Sequence, residues 1–303
     1  MVRTKEEANH VVSILKKYKD RIHAWDTETI GIDVKVDSPV GHGKVLCAQC
    51  FIGPDVDFGN GPRLFIDNYA DASDIILEFK EYLEDENYLK CWHNYSFDRH
   101  ILYNHGINVR GFGGDTMHMA RLADPSRLRY GLKYLTQDME SQIIDTKKGI
   151  IAWMKDQLLE EKSQDQDRLN NLNFYEENFS RIKKIDIHST FGFYKKLANG
   201  ETGKILMMPD LELMHCSAQF IPDWVEYSCF DAEILYFLRE TLSYQLLQIK
   251  TDEEMMGDNL TLYMKYWRPF GEILTDMERT GFRIDGDYLR SCELIAMKDS
   301  EKH

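Results

Sequence analysis

The stretch RIHAWDTETIGID, residues 21–33, places two carboxylates, Asp26 and Glu28, around a single threonine, Thr27, directly after an apolar run. Residues 22–25 read as a short core strand with the acid pair at its inner end. Side chains at i and i+2 of a strand share a face, so both acids point the same way. Two like charges on one face beside a core repel, and burial raises the cost. The pattern requires a positive partner nearby or a proton kept on one acid.

Outward from this stretch, strand and helix signals alternate through the first 140 residues or so. Residues 45–52 read as a second strand, RLFID (63–67) as a third and YLKCWHN (88–94) as a fourth. DASDIILEFKEYLED (71–85) is expected to be a helix, with Ser73 as its cap. SFDRHILYNHG is a helix closed by Gly106, and the chain returns to the sheet over 108–115. Three strands without helices, followed by strand–helix alternation, predict an antiparallel meander joined to parallel crossovers. Upstream, residues 1–20 form an amphipathic helix with Ala8, Val11, Val12, Ile14 and Leu15 on its apolar stripe. That segment does not read as a secretory signal.

Beyond residue 138 the character changes. Residues 153–184 are charged and helical, an insertion expected to run over about 138–210. Its end, FYKKLANGETGKILMMP, carries Asn199-Gly200, a hairpin signal. A long helix is expected from about Trp224, and residues 266–299 read as helix, a Gly281-centred turn and helix.

The 303 residues suit one large domain or one domain and part of a second, and 43% hydrophobic content excludes a disordered chain. No apolar run approaches the ~20 residues of a membrane span. A net charge of −14 argues against non-specific coating of nucleic acid, yet allows an acidic active site. The six cysteines are scattered, as in a reducing compartment, and Cys47 and Cys50 should face opposite ways on their strand.

Three more segments complete the constellation. In WHNYSFDRH, Asn94 ends a strand and Asp98 lies in the first turn of the next helix. In VEYSCFDAEILYFLRE, Tyr227 and Asp231 are four apart and share one helix face. In GFGGDTMHMARLADP, Asp115 stands at a strand-to-helix junction, where a cap or support is the plainer reading. Singly, each is ordinary: a solvated strand end, a capping acid, a surface pair. Jointly they are D-x-E, N-x-x-x-D and Y-x-x-x-D in fixed order.

These segments resemble the Exo I, Exo II and Exo III motifs of the DEDD superfamily of 3′–5′ exonucleases, tyrosine subclass, with DTE, NYSFD and YSCFD as the matches. GDTMHMARL and RPFGEILTDMERTGFRIDGDYL are similar to the proofreading domain and the opening of the polymerase part of family A DNA polymerases. The run DTMHMARLADPSR and the insertion ending in FYKKLANGETGKI are most similar to plant and protist organellar enzymes. The resemblance implies an α/β, RNase H-like fold, a mixed five-stranded sheet flanked by helices with a helical and hairpin insertion and a C-terminal helical segment. It also implies an exonuclease domain over 1–255 and a truncated start of a polymerase domain over 256–303, in a mitochondrion or plastid.

The implied chemistry accounts for the residue types. Phosphodiester hydrolysis needs charge stabilised on an attacking and a leaving oxygen at once, which two divalent ions do. Mg²⁺ and Mn²⁺ favour carboxylate oxygens, so four acids can hold two ions. The family roles put Asp26 between both metals, Glu28 and Asp231 on the metal that activates water, and Asp98 on the other. Tyr227 orients the water, being a poor base with a pKa near ~10. Thr27, Asn94, Phe97 and Met117 are expected at the substrate, with Tyr95 and Met119 as further stacking candidates. Arg129, Lys133, Arg181, Lys183, Lys184, Lys195 and Lys196 are candidates for phosphates. His93, His100, His105 and His118 are expected in core or surface roles. Partners implied are a single-stranded DNA 3′ end and the polymerase domain of the same chain, with no membrane and a monomeric state. Two rival readings are a ribonuclease D-like or Werner-type exonuclease, and a non-catalytic nucleic-acid-binding domain.

Overall fold

The computed structural model describes residues 1–136, 155, 186–196, 201–250 and 257–302. Its centre is a five-stranded sheet in the order β3-β2-β1-β4-β5, made of β1 (His23–Ile30), β2 (Lys44–Phe51), β3 (Leu64–Asp67), β4 (Lys90–Trp92) and β5 (Phe112–Asp115). The first three strands pair antiparallel, and β4 and β5 join in parallel. This is the mixed sheet that the alternation predicts. Seven of the eight β2 residues are buried, as in a strand covered on both faces. Cys47 and Cys50 accordingly enter different apolar clusters.

One boundary differs from the expectation. β1 does not end at Trp25 but continues to Ile30, so Asp26 and Glu28 lie inside it. The ladder explains this: Asp26 pairs with Gln49, Thr27 with Ala48 and Glu28 with Cys47 before a register shift. Backbone pairing to a buried neighbour outweighs the polarity of the side chains.

The helices cover both faces. α1 (Lys5–Leu15) starts with a Thr4–Glu7 capping box and buries Ala8, Val11 and Leu15. The helix expected over 71–85 is instead two 3₁₀ turns, Ala70–Ala72 and Ile75–Phe79, and a single-turn α2 (Lys80–Leu83). Asp74 between the turns has a left-handed φ of 69°. Asn68 also accepts the Ile76 N–H at 2.9 Å while donating to the Val45 carbonyl, which ties the segment to β2. α3 (Tyr95–Asn104) follows β4, and α4 (Thr116–Ala123) follows β5.

From the expected insertion, α5 (Ile187–Phe191), β6 (Phe193–Lys196) and β7 (Thr202–Met207) are described, with β6 and β7 forming a separate antiparallel ribbon. The helical stretch 153–184 apart from Lys155, and the Asn199-Gly200 turn, lie outside the described residues. α6 (Leu211–Cys216) leads into α7 (Ile221–Gln248), the long helix expected near Trp224. α8 (Asn259–Leu262), α9 (Arg268–Thr280) and α10 (Gly286–Ser300) complete the described chain. No described helix is long and apolar enough to cross a membrane.

Candidate active site

The ladder with β2 fixes Asp26 and Glu28 on one face of β1, both half-buried. Helix α7 packs its buried side over the sheet and delivers Asp231, which is 5% exposed. Carboxylate oxygens of Asp26, Glu28 and Asp231 all lie within 4.8 Å of one another. One turn earlier on α7 stands Tyr227. Burial raises its pKa strongly; Glu28, Asp231 and Asp26, and a hydrogen bond to Asp231, push it the same way. This phenol stays protonated, so it can orient a neighbour by hydrogen bonding but does not serve as a base.

Asp98 reaches β1 through Thr27, the residue between Asp26 and Glu28. It lies in the first turn of α3, is 4% exposed, and accepts the Thr27 hydroxyl at 2.6 Å. Burial lifts its pKa to about 7, against the pull of that hydroxyl. Asp98 is thus outside the three-acid cluster, tied to the residue between its two strand members. Asp115 is the support that its position suggests. Its carboxylate accepts the N–H groups of Asn94 at 3.1 Å, Tyr95 at 2.8 Å and Met117 at 2.8 Å, and its own N–H donates to the Tyr263 hydroxyl at 2.7 Å. This joins the starts of α3 and α4 and holds Asn94 at a left-handed φ of 68°.

The expected substrate residues divide. Asn94 is exposed, and Phe97 and Met117 are partly so. Thr27 is nearly enclosed, with its hydroxyl spent on Asp98. Tyr95 and Met119 are buried and are corrected to core residues; the Tyr95 ring stacks on Phe112 with centroids 4.0 Å apart. The histidines are engaged elsewhere: His93 with Thr116, His100 with Glu278, His105 with the Val45 N–H, and His118 with Asp115. Lys133 pairs with Asp186, and Arg129 donates to the Tyr134 hydroxyl at 2.6 Å. Lys195 and Lys196 are exposed on β6, whereas Arg181, Lys183 and Lys184 lie outside the described residues.

Sequence spacing gives no sign of what backs Tyr227. Its ring lies 5.7 Å from Trp224 and edge-on, 6.4 Å, to Phe191 at the end of α5. The Trp224 indole donates to His215 Nδ1 at 3.1 Å, and His215 Nε2 donates to buried Asp67 at 2.8 Å. The tyrosine wall therefore draws on β3, α5, α6 and α7. A clue was present only in residue type: a histidine flanked by apolar residues in LMHC usually has a buried partner.

The donor set suits a hard divalent cation. Three carboxylates from β1 and α7 converge, with no histidine or cysteine among them, and oxygen-only sets favour Mg²⁺, Mn²⁺ or Ca²⁺ over softer ions.

Comparison with known proteins adds a family. The DNA polymerase A model described as 3′–5′ exonuclease matches residues 1–164, which takes in Asp26, Glu28 and Asp98 and stops before Tyr227. "DNA polymerase I A, chloroplastic/mitochondrial" of Arabidopsis thaliana is 34% identical over 300 residues, 96% of this chain and 26% of that protein. "DNA polymerase I A, chloroplastic" of Oryza sativa subsp. japonica is 35% identical over 306 residues, 98% of this chain and 26% of that protein. The chain spans about a quarter of the length of these relatives.

Proposed function

The chain belongs to the DNA polymerase A 3′–5′ exonuclease family, and from that membership we propose that it removes nucleotides from the 3′ end of single-stranded DNA. The observation that carries the reading is the convergence of Asp26, Glu28 and Asp231 within 4.8 Å. Divalent cations bound there, two Mg²⁺ or Mn²⁺ in this reading, would supply the positive charge that an in-line displacement at phosphorus needs on its attacking and leaving oxygens. Asp26 would serve both ions, Glu28 and Asp231 one, and Asp98 the other. Tyr227, held protonated by burial and the acids, orients the attacking water by donating or accepting a hydrogen bond. Asn94, Phe97 and Met117, which keep exposed surface, would hold the terminal nucleotide in this reading. Thr27 acts through Asp98 rather than on the substrate.

By the same reading, residues 1–255 form the nuclease and 256–303 open a polymerase domain in the full-length protein. Similarity to proteins named chloroplastic and mitochondrial supports an organellar setting. The test is incubation with 5′-labelled single-stranded DNA or RNA, with Mg²⁺ or with EDTA. A metal-dependent ladder on DNA is expected. A preference for RNA would favour a ribonuclease D-like activity, and retention without cleavage a binding role.

A further inference from the structure

Among the described residues, the β6–β7 ribbon stands apart from both layers of the fold. All four residues of β6 are exposed, as are five of the six in β7. An isolated two-stranded ribbon is marginal in water, so its root matters. That root is Phe191, 3% exposed and packed against Trp224 and Tyr227. Gly192 follows, with Leu206 of β7 so close that a Cβ at residue 192 would lie 2.9 Å from its Cδ1. The ribbon therefore begins two residues from the ring that backs Tyr227, beside the acidic cluster.

The ribbon combines exposed aromatic rings with an excess of cations. Phe193 and Tyr194 are 47% and 52% exposed. Its described residues carry Lys195, Lys196 and Lys204 against the single acid Glu201, in a protein of net charge −14. The pairing sets Tyr194 beside Leu206 and Lys196 beside Thr202, with Lys204 between those two β7 positions. Uncovered aromatic faces interleaved with cations match the needs of a single strand, whose bases stack and whose phosphates seek positive charge. A duplex offers no unstacked bases to such rings.

We propose that this ribbon is a contact arm for single-stranded nucleic acid, with Tyr194 as a stacking platform and Lys196 and Lys204 as phosphate contacts. It guides the strand toward the acidic cluster. That last step rests on the nuclease reading; the arm itself does not.

The test is anisotropy of a fluorescein-labelled dT₁₂ oligonucleotide with the 303-residue chain in EDTA, across a salt series. Tyr194→Ala should weaken binding by about fivefold or more with an unchanged salt slope, and Tyr194→Trp should restore it. The Lys196→Ala/Lys204→Ala double variant should reduce the slope of log K against log salt by about 1.4. Cleavage of the p-nitrophenyl ester of thymidine 5′-monophosphate, too short to reach the ribbon, should be unchanged in every variant. Wild-type affinity and slope in these variants would overturn the arm. So would a change in their self-association with no change in DNA binding, which would mark the ribbon as a protein contact. A wild-type chain that binds dT₁₂ yet cleaves neither substrate with Mg²⁺ would remove the nuclease reading and leave the arm standing.

Discussion

Helices α7 and α3 each bring one acid to β1, and they are held in opposite ways. α7 buries seventeen of its twenty-eight residues, mostly apolar, so Asp231 is placed by packing. α3 is fastened on its outer side by charges from α9. Arg99, next to Asp98 and fully buried, pairs with Asp276 at 2.9 Å and Glu272 at 3.8 Å. Arg279 donates to the Arg99 carbonyl at 2.9 Å and to Asn108 at 2.8 Å, and Glu278 accepts from His100 and Ser96, each at 2.8 Å. Burial is non-directional and tolerant of substitution; ion pairs around a desolvated guanidinium are not. One acid thus rests on the body of the domain, and the other depends on a helix more than 170 positions later in the chain.

Four changes break or sharpen this contrast. Asp26→Ala, on the strand that both helices serve, should cost about 10³-fold or more in the rate of single-strand cleavage, since lost charge stabilisation is worth several kcal/mol. A rate within about tenfold of wild type would remove Asp26 from the site. Next, the Glu272→Ala/Asp276→Ala pair strands the buried Arg99 charge and should cost about 3–5 kcal/mol in urea unfolding. A loss under about 1 kcal/mol would show that α3 needs no ionic fastening.

The third change uses pH at the far end of β1. His23 donates to the Tyr18 carbonyl, accepts from the Tyr82 hydroxyl, and is pushed down to about 4 by burial. Between its ordinary pKa near ~6.5 and about 4, the unfolded chain takes up the proton first. Stability from this group is full above that window and falls by about 3 kcal/mol as pH drops through it. His23→Gln should flatten that part of the urea–pH profile; an unaltered profile would assign the acid lability to other groups. Smallest is Thr27→Val, which deletes the hydroxyl that Asp98 accepts. About 1 kcal/mol of stability is expected to go, and cleavage should fall by about tenfold or less while Asp231-side substitutions such as Leu235→Ala cost stability alone.

What the sequence made legible follows the same divide. The D-x-E pair, the sheet's mixed direction and the Tyr227–Asp231 spacing on α7 follow from periods of 2 and 3.6 residues, and backbone geometry enforces those periods. The extension of β1 past Trp25 escaped, because the ladder with β2 and not side-chain polarity decides where a strand stops. The 3₁₀ turns before α2 escaped because Asn68 reaches across to Ile76 and Val45. Burial of Tyr95 and Met119, the Asp67–His215–Trp224 chain behind Tyr227, and the fastening of Arg99 all join residues far apart in sequence. Directional contacts of that kind leave no periodic trace.

Asp26 and Glu28 sit on an inner strand, hydrogen-bonded to β2 along their own positions, rather than on a loop that can give way. Their mutual repulsion cannot relax by local opening; it weighs on the fold as a whole. With the proposed cations bound there, cation affinity and thermal endurance of this domain would be one quantity seen twice, linked by mass action. Each tenfold rise in free cation above its dissociation constant adds about 1.4 kcal/mol to the folded state.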